Sequence, residues 1–567
     1  MVNLFAEHIS FILKDYRPLV MCRMKSFICK SISILILLNA GIGCSKQTTA
    51  ENDSKLNIVF IICDDLNDSV EGMGGHPQAK TPNIDKLASE GVSFQNAHCA
   101  APLCGPSRAS LWTGIYPHKS GIIGYNQHVY TWRDSPVLKD AVTVFEHFAA
   151  NGYQVMTTGK IFHNNHHTAQ MIWDLGGKDA FAANSTFGPF AYDGVNRVVH
   201  PSMKLPWGLN RFETFAPLSD VPKIPPHREP GIPGYEGWWL YNKPFHYNGP
   251  EDRDLMPDEK SAEWAIEKLS QYHGKPFFLT VGFMRPHTPW IAPDEFFHMH
   301  PLDSIQLPPY LTADTDDCGP LSPDRFYADN ERMNSFKRLL EAYPGNDGWK
   351  MAVQGYLACV SFVDHQVGKV LKALEESDYA ENTIVVFTSD HGFHIGEKNH
   401  LHKNTVWEES TRVPLIIKIP GNGKNANQEC LYPVSLIDLY PTLINLCGLP
   451  EEPNSGKNDY PIDGHSLADL ITDPSRAGLN ARKVALTAVT GLSRADLFGE
   501  IPPVNEHSFS VRSKDFRYVL WADGFEELYD HRNDSHEWHN LADQDDYQMI
   551  KQDLKKQMNE LIEMNGY

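Results

Sequence analysis

Two stretches of this 567-residue chain restrict its fold more than anything else in it. Asn57-Ile58-Val59-Phe60-Ile61-Ile62-Cys63 and Thr383-Ile384-Val385-Val386-Phe387-Thr388-Ser389 are apolar, β-branched runs that end on acids, Asp64-Asp65 in the first and Asp390-His391-Gly392 in the second. A strand with one wet face alternates apolar and polar residues, whereas an unbroken apolar run needs cover on both faces, as in a parallel sheet between helices. Phe277-Phe278-Leu279-Thr280-Val281-Gly282-Phe283 reads the same way, and residues 153–156 form a shorter run. Helical stretches over residues 141–150 and 351–374 precede two of these runs. The alternation predicts an α/β fold with a large, mixed, mostly parallel sheet flanked by helices. Ligands of such sheets gather outside the carboxyl ends of the strands, so two acidic strand ends suit one shared site. The plainer use of a strand-end Asp is a turn or a helix cap.

A third element is Cys104-Gly105-Pro106-Ser107-Arg108, with Thr113-Gly114 beyond it. A lone cysteine before a proline-bounded turn is most often a small buried hydrophobe. Here Ser107 is placed to cap a helix over residues 108–112, which would aim backbone N–H groups at the cysteine. Together with the strand-end acids, the motif resembles the signature of the formylglycine-dependent sulfatases of the alkaline-phosphatase superfamily. The resemblance runs from Asn57 to about Asn540. It is nearest to the iduronate-2-sulfatase-like branch, through Cys63-Asp64-Asp65-Leu66-Asn67, Gly159-Lys160-Ile161-Phe162-His163, Arg285-Pro286-His287 and His391.

That resemblance implies a specific chemistry. A maturation enzyme would oxidise Cys104 to formylglycine, whose hydrate carries two hydroxyls. One attacks the sulfur of a sulfate ester and expels the alcohol; the other then loses its proton and collapses to the aldehyde, releasing sulfate. Asp64, Asp65, Asp390 and His391, with an oxygen at position 104, would hold one Ca2+, and oxygen-rich ligation agrees with a hard cation. His391 stands where asparagine is commonest in the family, and imidazole also suits transition metals. Arg108 would hold the diol, Lys160 and Lys403 would clamp sulfate, His163 would bond the diol, and His287 would protonate the leaving alcohol. Asp390 is also a candidate base for the attacking hydroxyl. With 26 histidines in the chain, any single histidine match is cheap, so the weight lies in the order of the matched elements.

The hydrophobic fraction, 41%, is ample for a large core. A catalytic domain over residues 56–454 is expected, with an insertion at about 169–258 rich in Pro, Gly, Trp and Tyr. An α+β subdomain over 455–567 would follow; its Glu527-Leu528-Tyr529-Asp530 resembles a strand of the sulfatase C-terminal part. Residues 24–44 read as a bacterial signal, with a basic start, an apolar run too short to anchor in a bilayer, and Gly43-Cys44-Ser45 at the end. Residues 1–23 then read as an over-extended start and 45–55 as a tether. The expected location is exported, in the periplasm or as an outer-membrane lipoprotein anchored at Cys44, with simple secretion the alternative. Seven cysteines beyond Cys44 imply no dense disulfide framework, and Cys63 and Cys359 read as buried.

A formal charge of −21 argues against nucleic acid as a partner and requires a locally basic pocket for any polyanion. By resemblance the substrate is a sulfated glycan, such as ulvan or a glycosaminoglycan fragment sulfated at uronate O2. Trp238 and Trp239 are candidates to stack on sugar rings, and Arg285, Trp290, His400 and Trp407 to read the sugar. Two other readings stay open: a phosphonate or phosphodiester hydrolase with the same cysteine motif, and an inactive glycan-binding lipoprotein.

Overall fold

Residues Asn57–Asp64 form strand β1, and its alternate side chains enter two separate cores. Val59, Ile61 and Cys63 belong to one, Ile58, Phe60 and Ile62 to the other. The absence of alternation in the sequence is thereby explained, since neither face of the strand meets water. The computed structural model describes residues 55–563 other than 125–131, 134, 164–185, 228–230, 323–333, 422, 424, 425, 457–459, 476–481 and 491–502. The expected signal, tether and Cys44 anchor therefore lie outside the described residues. No helix among the described residues is long and apolar enough to cross a membrane.

The chain continues through α1 (Pro82–Glu90), β2 (Val92–Phe94), α2 (Cys104–Thr113), α3 (Val144–Ala150), β3 (Gln154–Gly159), α4 (Pro257–Leu269) and β4 (Phe277–Pro286). Then come α5 (Asp347–Glu375), β5 (Thr383–Ser389), β6 (Leu415–Lys418), β7 (Gln428–Cys430) and α6 (Leu439–Leu446). The central sheet has seven strands in the order β7-β2-β6-β5-β1-β4-β3. β5, β1, β4 and β3 are adjacent and mutually parallel, and β6 runs antiparallel to both its neighbours. Helices α1, α4 and α5 fill the core on one face, and α2, α3 and α6 that on the other. The mostly parallel, helix-flanked α/β sheet expected from the sequence is the fold observed.

The predicted helix over 141–150 is shorter at its start: α3 begins after Thr143, which exchanges capping hydrogen bonds with Glu146. The described part of the insertion consists of strands of two or three residues, such as Phe190–Tyr192 and Trp238–Leu240. The two tryptophans expected to stack on sugar rings are engaged within the protein. Trp238 is fully buried with Nε1 donating to the Leu218 carbonyl, and Trp239 stacks on Tyr192 at 4.1 Å. A Trp whose N–H finds a carbonyl is a good core residue, and composition alone could not separate that use from sugar stacking.

Strands β8 (Ala485–Thr490), β9 (His507–Arg512), β10 (Phe516–Leu520) and β11 (Glu526–Asp530) form an antiparallel meander packed on the last helix, α7 (Gln548–Glu563). Its edge meets the segment before α2, where Thr487 Oγ1 donates to the Cys99 carbonyl at 2.7 Å and the Ala488 N–H to the Ala100 carbonyl at 2.9 Å. A buried charge cluster clasps the same sheet to residues 406–411. Arg517 pairs with Glu408 and Glu537, and the Glu537 carboxylate accepts the Glu408 backbone N–H at 2.9 Å and faces His531 Nε2 at 2.9 Å. Burial alone would raise the Glu537 carboxyl, but Arg517 and His531 hold it down to about 2.

A carboxyl held below its unfolded value of 4.5 gives stability that is complete above that pH and is lost as pH falls toward about 2. The thermal midpoint is expected to drop steeply across that window. E537Q should start lower at pH 7, because it leaves a buried guanidinium short of a partner at a cost of about 3–5 kcal/mol, and show a flatter acid slope. Equal slopes in wild type and variant, read by calorimetry at stepped pH, would contradict the assignment.

Candidate active site

The four adjacent parallel strands bring their carboxyl ends to one place. β1 ends at Asp64 with Asp65 after it, β5 runs into Asp390-His391, β4 into Pro286-His287, and β3 into Lys160. Cys63 lies opposite Ser389, Asp64 opposite Pro286 and Gly159 opposite Gly282, so the functional residues leave the sheet at nearly one level. Two glycines permit the close approach at β3 and β4. A Cβ on Gly159, whose φ is +73°, would lie 1.9 Å from the Gly282 carbonyl oxygen, and one on Gly282 would lie 2.0 Å from that of Lys160. Opposite these strand ends stands Cys104, the first residue of α2 and fully buried. Lys403 enters from the segment after β5.

Around Cys104 Sγ lie Lys403 Nζ at 3.2 Å, His391 Nε2 at 3.3 Å and Asp64 Oδ1 at 3.4 Å. Three buried carboxylates converge here and each has its own cation. Asp64 pairs with Lys160, Asp65 with Lys403, and Asp390 with Arg108 Nε at 2.8 Å. Burial opposes the charged Cys104, yet Lys160, Lys403, His391 and the hydrogen bond from His163 bring its pKa well below a free thiol's value. Burial would raise Asp64, but the surrounding cations hold it near 2, while the less compensated Asp390 is pushed up to about 6. His391 rises to about 9 despite burial, because Asp390 and Cys104 favour its charged form. Burial lowers His163.

His287 Nε2 sits 3.8 Å from Asp65 Oδ2, and its Nδ1 meets the Thr288 carbonyl at 2.6 Å. A proton on Nδ1 is held there by the carbonyl, so Nε2 is the atom that faces the site. Asp65 has φ of +69°, unusual for a residue with a side chain, and its carbonyl accepts from Tyr356 Oη at 2.9 Å. Its Oδ2 is buried without a hydrogen-bond donor among the described residues. Asp64, Cys104, Asp390 and His391 each offer one ligand atom within 4.8 Å of the others, as do Asp64, Asp65, Cys104 and His287. An orphaned carboxylate oxygen beside such a set fits a bound cation.

Several expectations need correction. Ser107 does not cap a helix: α2 starts three residues earlier, at Cys104, and Ser107 Oγ donates to the Asp390 carbonyl instead. Arg108, the expected holder of the diol, stands at the site with Nε on Asp390 and its terminal nitrogens on the carbonyls of Cys63, Lys160 and Ile161. Three proposed sugar readers belong to the framework. Arg285 is buried with donors on the carbonyls of Gly188, His287 and Ile291; Trp290 Nε1 donates to the Pro286 carbonyl, and Trp407 Nε1 to Glu527. His400 is half-buried, with Nε2 3.3 Å from the Lys403 carbonyl. Cys63 and Cys359 are fully buried as expected, and the seven cysteines of the described residues are free thiols. The sequence reading missed Tyr356, which comes from the middle of α5, and Phe187, whose ring lies 4.7 Å from His287 with Lys160 Nζ 4.8 Å over its face. No motif or spacing marks either.

Family models agree with this geometry. Residues 56–449 match the sulfatase model, and residues 396–564 that of the C-terminal part of N-sulphoglucosamine sulphohydrolase. The chain is 34% identical over 505 residues to a sulfatase of Formosa agariphila, covering 88% of this chain and 85% of that one. It is 30% identical over 520 residues to the iduronate 2-sulfatase of Mus musculus, covering 83% and 85%. Among solved structures, one determined in complex with its substrate D-glucosamine-2-N,6-O-disulfate superposes with a TM-score of 0.60 at 20% identity, over 90% of this chain and 99% of that one, a likeness of fold. With its strand-end acids, its cysteine at a helix start and this sequence match over most of its length, the chain belongs to the sulfatase family, the sulfuric ester hydrolases.

Proposed function

We propose that the chain removes sulfate from a sulfated polysaccharide or its oligosaccharides, with uronate 2-O-sulfate the leading position, and that Cys104 acts as formylglycine beside one calcium ion. The observation that carries this reading is the meeting of Cys104 with three carboxylates, two lysines and three histidines at the carboxyl end of the sheet. Cys104 Sγ marks the place of the oxygens of the formylglycine hydrate. The substrate class rests on the likeness to the iduronate 2-sulfatase and to the glucosamine-disulfate complex.

Asp64, Asp65, Asp390 and His391 would hold the ion, whose positive charge, when bound, stabilises charge developing on the sulfate oxygens. The carboxylates suit calcium, and Asp65 Oδ2 is the oxygen with no other duty. Lys160 and Lys403, which pair with Asp64 and Asp65 here, would turn to clamp the sulfate once those carboxylates held the ion. Asp390, less acidic than Asp64, is suited to take the proton of the attacking hydroxyl. His287 Nε2 faces the site from the β4 side and donates its proton to the departing alcohol.

The first test is the mass of the tryptic peptide carrying Cys104, made in a host that converts a control sulfatase: a loss of ~18 Da relative to cysteine is expected for the aldehyde. Unchanged turnover in C104A would remove the nucleophile assignment, since losing it should cost at least about 10³-fold. H287A should slow a sugar sulfate by about 10²–10⁴-fold and an aryl sulfate with an acidic phenol far less, because only a poor leaving group needs protonation. Equal losses on both substrates would argue against His287 as the acid. A chelator should abolish turnover, with calcium restoring it better than zinc; the reverse order would favour a transition metal.

A further inference from the structure

Beside His287 the insertion builds an aromatic wall that carries two arginines, neither of them in an ion pair among the described residues. Phe187 and Phe212 lie 4.7 and 6.1 Å from the His287 ring and 5.6 Å from each other, and Phe212 continues to Phe190 at 5.3 Å. The Arg211 guanidinium sits over Phe212 at 4.9 Å and over Phe190 at 5.7 Å, and that of Arg197 over Phe190 at 5.7 Å. Neither guanidinium has a carboxylate partner or a hydrogen bond among the described residues, in a chain with 71 acidic and 50 basic side chains. Both arginines are exposed, and Phe187 and Phe212 are half-buried.

Two guanidiniums held on one ring repel, and burial together with the neighbouring charge makes Arg211 easier to deprotonate than a free arginine. The aromatic faces repay only part of that cost. An anion bound by the two guanidiniums would remove the repulsion and satisfy the donors. Position narrows the source. In sulfate-ester hydrolysis the sugar is the leaving alcohol, so it must lie on the side of the residue that protonates it. His287 is that residue in the mechanism above, and the wall adjoins it.

We propose that Arg197 and Arg211, mounted on Phe190 and Phe212 beside His287, form an anion subsite for a sulfate on the sugar next to the one being desulfated. The inference rests on the sulfated-glycan reading. It makes the enzyme one that selects a second negative charge on its substrate, beyond the sulfate it removes. The half-exposed rings of Phe187 and Phe212 provide the apolar floor for the sugar between the two charges.

The test uses binding, so that it does not depend on turnover. Calorimetry would compare the full-length variants C104A and C104A/R197A/R211A with a disaccharide of 2-O-sulfated uronate and N-sulfoglucosamine. The triple variant is expected to bind about tenfold more weakly or worse, ~1.4 kcal/mol per tenfold. The N-desulfated form should bind both variants alike, whereas the carboxyl-reduced form, altered only on the sugar being desulfated, should keep the difference between them; the opposite pattern would overturn the assignment. Equal affinity of the two variants for the parent disaccharide, or no binding by C104A, would overturn the subsite. In the active enzyme, R197A/R211A should raise KM for the disaccharide far more than for 4-nitrophenyl sulfate, and equal losses on both would indicate a structural role instead. Failure of the unaltered enzyme, with Cys104 converted, to hydrolyse either sulfate would sink the sulfatase mechanism separately and leave the binding result standing on its own.

Discussion

Everything at this site depends on three carboxylates sharing a space from which water is excluded. Asp64, Asp65 and Asp390 are each fully buried, and like charges so placed would force protons onto one another. They coexist because each has its own cation, Lys160, Lys403 or Arg108, delivered by a different part of the chain. Lys160 comes from a strand end, Lys403 from a loop and Arg108 from a helix, so loop, helix and sheet must close together. A buried ion pair of this kind adds little net stability over apolar packing, yet losing one partner is severe. The arrangement therefore fixes geometry more than it adds to folding energy.

The C-terminal meander is part of the same construction. Its edge is bonded to Cys99 and Ala100, just before α2, and Arg517 holds Glu408, five residues after Lys403. Two of the segments that shape the catalytic pocket are therefore braced from behind by a sheet that supplies no catalytic group.

What could be read from the chain beforehand has a physical pattern. The strands were legible because cover on both faces leaves an unbroken apolar run, and the acids were legible because they stop that run at the ligand-binding end. The Cys104 motif was legible because short spacing along a helix start survives any rearrangement elsewhere. The roles of Arg285, Trp290 and Trp238 were not, because a buried Arg or Trp satisfied by backbone carbonyls has the same composition as one that meets a sugar. Ser107 was misread for a similar reason. A serine ahead of an apolar stretch looks like a cap, and only the neighbouring strand end reveals the Asp390 carbonyl that takes its proton. Tyr356 and Phe187 reach the site through tertiary packing across long sequence separations, which leaves no local trace.

The full burial of Cys104 has a consequence for the order of events in the life of the molecule. Arg108 binds the start of α2 to the ends of three strands, and the Cys104 side chain is closed off beneath it. No protein-sized catalyst can grip a segment so enclosed, so any enzymatic conversion of this side chain has to happen while the chain is still open. On the formylglycine reading proposed above, folding is then a deadline: a molecule that closes with its sulfur in place keeps it, and the active fraction of any preparation is set by a race between chemistry and collapse.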